Sequence, residues 1–93
     1  MNFRRELTSF DKEEVSMVTD LIFNKGIKSN REVIKILNDK FVDEETTKEI
    51  ITSLEADGYI SYGLSLNVND VSIKPIFDSL DSLIQDGLYK PEQ

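Results

Sequence analysis

The spacing of apolar residues changes at Gly58, and that change limits what this chain can fold into. Before it, apolar residues recur at intervals of three and four, as in Val15, Val18, Leu21 and Ile22. After it, Ile60, Tyr62, Leu64, Leu66 and Val68 alternate with Ser61, Gly63, Ser65 and Asn67. The first pattern gives a helix one apolar face, and the second gives a strand one apolar face. The expected fold is therefore mainly α with a small antiparallel hairpin.

Start and stop signals divide the helical part. Asp11 and Glu14 have the spacing of a capping box, and Gly26 suits the left-handed position that ends a helix, so residues 12–25 are expected to be helical. Ser29 and Glu32 repeat the signature ahead of a helix over about residues 30–40, with Val33, Ile34, Leu37 and Phe41 as its stripe. A third helix begins after Asp43, buries Thr47, Ile50, Ile51 and Leu54, and ends at Gly58. The connections are a few residues long, which suits a compact three-helix unit with crossed packing.

The hairpin is open to two registers, one turning at Asn69-Asp70 with Val71 and Ile73 returning, the other turning at Gly63. Pro75 suits the first position of a last helix, where its missing N–H costs nothing. Ile76, Leu80, Leu83 and Ile84 form that helix's apolar face, with Phe77 beside it, and Gly87 ends it. The order helix, helix, helix, hairpin, helix predicts a winged helix with an additional C-terminal helix. Residues 1–10 form an N-terminal arm, 11–87 the winged-helix domain, and 88–93 a tail that contains Pro91 and is expected to fray. Phe3, Leu7 and Phe10 give the arm its own apolar edge, suited to covering this domain or a second copy.

Composition excludes several kinds of chemistry. The chain has 93 residues with neither His nor Cys, so metal sites built on those side chains, thiol catalysis, disulfides and His-based proton transfer are absent. A hydroxyl nucleophile has no His base and no S-x-x-K motif here. The glycines are isolated and form no phosphate loop. Acidic clusters such as Asp43-Glu44-Glu45 are explained by helix starts and exposed faces. No catalytic residue, cofactor or metal is expected. No apolar run approaches the length of a membrane span and no secretory signal opens the chain, so the expectation is a cytoplasmic protein without membrane contact.

Three segments carry a family resemblance. They are Ser29-Asn30-Arg31-Glu32-Val33-Ile34-Lys35-Ile36-Leu37, the third-helix exit Ile50-Ile51-Thr52-Ser53-Leu54-Glu55-Ala56-Asp57-Gly58-Tyr59-Ile60, and Val71-Ser72-Ile73-Lys74-Pro75-Ile76-Phe77-Asp78-Ser79-Leu80. With them, the stretch from Glu14 to about Ile84 resembles the N-terminal winged-helix domain of DnaD-type proteins. These are primosomal replication initiation proteins of low-GC Gram-positive bacteria and their phages and plasmids. The third segment is the most specific, because it sets Ser, Pro and an aromatic at fixed offsets. The chain departs from the family in a shorter wing and in Val71, where an aromatic is usual. It also holds no counterpart of the family's C-terminal DNA-binding domain. The resemblance implies a module that self-associates and contacts other replication-initiation proteins.

The charge distribution bears on the same question. Eleven Lys and Arg stand against eighteen Asp and Glu, a net charge of −7. The third helix, which would enter the DNA major groove in a helix-turn-helix protein, carries Glu44, Glu45, Glu49, Glu55 and Asp57 against Lys48 alone. Phosphate contacts require cations, so this helix is expected to bind protein, through Glu44, Glu45 and Glu49, and nucleic acid weakly or not at all. Lys25, Lys28, Arg31 and Lys35 form a candidate patch for phosphates or an acidic partner, or else a solvated helix face. Apolar residues exceed what three helices and a wing hide. Either the last helix folds back over the first and covers them, or Phe3, Leu7, Phe10, Phe77 and Leu83 build the seam of a homodimer. The expected function is a non-enzymatic replication-initiation module acting by self-association and protein contacts. The alternatives are a small phage- or plasmid-type transcriptional regulator that binds DNA, and an inhibitor that mimics DNA or a partner surface.

Overall fold

The computed structural model describes residues 6–63 and 70–91. Helix α1 spans Lys12–Thr19 and continues through a π-helical turn at Asp20–Asn24; α2 spans Asn30–Asn38 and α3 Glu44–Ala56. Strands β1, Ile60–Gly63, and β2, Ser72–Pro75, follow, and then a 3-10 turn at Phe77–Ser79 leads into α4, Leu80–Gln85. The fold is mainly helical with a two-stranded antiparallel hairpin. Its three long helices lie within a residue or two of where their capping signals place them.

The caps are local, which is why they are legible. Asp11 accepts from the Glu13 N–H at 2.8 Å, Ser29 Oγ from the Glu32 N–H at 3.2 Å, and Asp43 from the Thr46 N–H at 3.4 Å. Each satisfies a backbone donor that the first turn leaves free. Val15, Val18, Val33, Leu37, Ile50 and Leu54 are fully buried where α1, α2 and α3 meet. Burial of each such side chain contributes about 1.5–3 kcal/mol relative to exposure.

The hairpin register pairs Ile60 with Pro75, Ser61 with Lys74, Tyr62 with Ile73, and Gly63 with Ser72. Gly63 is thus a ladder residue, not a turn. Leu64, Leu66, Val68 and the expected turn residue Asn69 lie outside the described residues. A third segment joins the sheet on the other side of β2. Ile73 N–H donates to Lys28 O at 2.7 Å, Asn30 N–H donates to Val71 O at 3.0 Å, and Ser29 faces Ser72. The link between α1 and α2 thereby makes a single antiparallel bridge to β2 at Ser29.

Pro75 does not begin the last helix. It ends β2, and the chain stays extended to Ile76, whose N–H donates to Tyr59 O at 2.9 Å. Ile73 turns its N–H away from β1, so position 75, two residues on, faces the same way. A proline there removes no bond from the β1–β2 ladder. Helical winding starts only at Phe77. Leu83 is buried on α4, whereas Ile84 is exposed.

The tail does not fray over its described part. Leu88 and Tyr89 are buried, and Thr19 Oγ1 donates to Leu88 O at 2.8 Å. Asn24 Nδ2 donates to Lys90 O at 3.0 Å, and the Tyr89 hydroxyl donates to Asn24 Oδ1 at 2.6 Å. This packing also explains the end of α1. Successive residues of a helical turn point in different directions, so three in a row cannot share one narrow face. Leu21, Ile22 and Phe23 are all buried because the core covers one side of that turn and Leu88–Tyr89 cover another. The arm behaves similarly: Leu7 and Phe10 enter the core beside α3.

Candidate functional site

Two surfaces of opposite charge stand out. The first is the solvent face of α3, where Glu44, Glu45, Lys48, Glu49 and Thr52 are exposed. Lys48 Nζ lies 3.8 Å from Glu44, an exposed pair that neutralises little of the face. Hydrogen bonding to Thr46, at its side chain and N–H, holds the Asp43 carboxyl below the usual carboxylate range. It therefore stays charged at the start of the same helix. The half-exposed Tyr62 of β1 continues this face. Burial pushes its phenol up, a hydrogen bond with Thr52 works against that, and the Glu55 charge adds to it.

The second surface is a groove of about 610 Å³ between the end of α1 and β2. Ile22, Phe23, Ile73, Pro75 and Phe77 supply its apolar lining, and Lys25, Lys28 and Lys74 its charge; among the described residues no carboxylate lines it. The Phe77 ring meets Phe23 edge-on, centroids 5.6 Å apart, and the Phe23 and Tyr89 rings are tilted with centroids 5.5 Å apart. Phe77 stays 58% exposed as one wall. Gly63 leaves room for the Lys74 stem, since a Cβ there would stand 2.8 Å from Lys74 Cε.

The expected cationic patch is divided. Lys25 and Lys28 belong to this groove. Arg31 and Lys35 lie exposed on α2 and line a separate hollow that also contains Glu32 and Asp39. Asp70 ties the root of the hairpin to α2. It accepts from Ser29 Oγ, from the Arg31 N–H at 3.0 Å and from the Val71 N–H at 2.8 Å. The Ser29 bond in particular, with help from the two N–H donors and the Arg31 charge and against the effect of burial, lowers its carboxyl pKa.

The expected self-association seam is not a surface of the folded chain. Leu7, Phe10 and Leu83 are buried in the chain's own core; Phe77 is exposed but belongs to the groove; Phe3 lies outside the described residues. The segment after α4 folds back over α1 and takes Leu88 and Tyr89 into the core. Phe41 does the opposite. Expected on the buried stripe of α2, it is 97% exposed, and Val42 takes the core position. The helix ends at Asn38, Phe41 adopts a left-handed backbone with φ of 68°, and the Val42 N–H returns to Leu37 O at 3.0 Å. Sequence reasoning also missed Lys74 and the groove, because the segments that line it meet only in the fold.

Among the described residues no helix is long and apolar enough to cross a membrane, and no cluster of three or more carboxylates is placed to hold a metal ion. No family model, curated protein or solved structure matches the chain.

Proposed function

We propose that this chain is a winged-helix module that works by self-association and protein contact, in the setting its three resembling segments suggest, the initiation of replication. The hairpin after α3 and the single bridge from Ser29 to Ser72 of β2 support the winged-helix reading. The observation that carries the function is the charge of α3. Its exposed face presents Glu44, Glu45 and Glu49 where a DNA-binding relative would meet phosphates. A surface of that sign repels a duplex. The working surfaces are then α3 for a protein partner and the lysine-rimmed groove for an acidic one.

A small DNA-binding regulator is the second reading, favoured by the exposure of Lys28, Arg31 and Lys35 around the start of α2. Retardation of duplex DNA at low salt separates the two. The protein-contact reading expects no shift. Tight, sequence-selective retention at ordinary ionic strength, abolished by the combined change Lys28→Glu, Arg31→Glu and Lys35→Glu, would establish the regulator instead. Titration against purified replication-initiation proteins of the same organism tests the setting: binding to one supports it, and binding to none overturns it.

A further inference from the structure

We propose that copies of this chain assemble head-to-tail, with Phe41 and its flanking carboxylates on one copy seated in the lysine-rimmed groove of the next. The inference rests on the self-associating reading above and names its two surfaces. Phe41 is 97% exposed, so it does not fill a groove of its own chain. Its φ of 68° lies where side chains other than glycine are rarely found. The left-handed turn places the ring outside the core while Val42 returns to it. A bulky ring held outward in this way suits insertion into a neighbour, as interface anchors do.

Charge complementarity selects the occupant. Asp39, Asp43, Glu44 and Glu45 flank Phe41 within four residues, against Lys40 alone. The groove offers Lys28 and Lys74, with no carboxylate among its described lining residues, around apolar Ile73 and the Phe77 wall. This open groove, about 610 Å³, has room for one aromatic ring. In the head-to-tail arrangement each neighbouring pair of copies makes the knob-and-groove contact once, not reciprocally, so the contact is heterologous. Such a contact leaves a free knob at one end and a free groove at the other, and it propagates into rings or filaments.

Sedimentation of the full chain at low and high salt tests this. The wild type is expected to grow beyond two chains as concentration rises and to shrink as salt is added. Phe41→Gly removes the knob at a position where glycine is at ease; Lys28→Glu with Lys74→Glu disables the groove. Each variant alone should associate about tenfold more weakly or worse, with an unchanged circular dichroism spectrum. Mixed together, they should form a one-to-one complex and nothing larger, since one supplies the groove and the other the knob. A Phe41→Gly protein that assembles like the wild type, or a mixture that stays monomeric, overturns this contact but leaves self-association standing. A wild type that is monomeric at high micromolar concentration overturns both, including the case where its groove takes up an acidic aromatic peptide from another protein.

Discussion

At Phe41 a single backbone angle decides which of two neighbouring apolar residues enters the core. Had α2 continued another turn, Phe41 would follow Leu37 onto the buried face; the left-handed turn hands that place to Val42. A left-handed conformation costs an L-residue roughly 1–2 kcal/mol, which the burial of Val42 offsets. Asp70 shows the same dependence of role on placement. In the sequence it reads as part of a turn, whereas in the fold it gathers Ser29, Arg31 and Val71 at the start of α2. Its carboxyl, like that of Asp43, has a pKa below the ordinary 3.8. A group whose pKa is lowered on folding stabilises the native state above its unfolded pKa, and that contribution is lost as pH falls through the lowered value. Asp70→Asn should therefore be less stable than the wild type at neutral pH, and the difference should narrow as pH drops below about 4. Urea midpoints at neutral and acid pH measure this, and a difference that persists undiminished in acid would refute it.

At the scale of elements, starts were more legible than ends. A helix start depends on a side chain and a backbone N–H two or three residues apart, which is why Asp11, Ser29 and Asp43 mark theirs in the sequence. The last helix was misplaced because Pro75 is compatible with two local settings. What decided between them was Ile73 donating to Lys28, a partner 45 positions away in the chain. Residues 88–90 look like a loose tail in the sequence for a related reason, since their partners Thr19, Phe23 and Asn24 lie at the far end of the chain. This segment is structural. Leu88→Ala should cost about 2–4 kcal/mol, as for a buried leucine whose cavity closes only in part. Thr19→Val should cost about 1–2 kcal/mol by stranding the Leu88 carbonyl. Chemical denaturation checks both, and values near zero would mean that this segment does not hold α1.

For the whole molecule, the excess of acid is unevenly spread, and the unevenness matters more than the total. The α3 face concentrates carboxylates, while the groove between α1 and β2 is lined by lysines and, among the described residues, by no carboxylate. Reversing the first should expose what the charge suppresses. The triple change Glu44→Lys, Glu45→Lys and Glu49→Lys is expected to create a sequence-independent affinity for duplex DNA that falls steeply with salt. Fluorescence anisotropy with a labelled duplex reads it directly. If the triple variant binds no better than the wild type, α3 is not presented to a duplex at all, and its acidity is not what excludes DNA.

The sequence by itself determined the starts of the first three helices, the change to strand after Gly58 and the sign of α3, because each depends on residues within a few positions of one another. Only the tertiary structure decided that Leu7, Phe10 and Leu83 belong to the chain's own core, that Phe41 faces solvent, and that Lys25, Lys28 and Lys74 border one groove. Those outcomes depend on which distant segments compete for the same buried space, and a one-dimensional pattern does not record that competition.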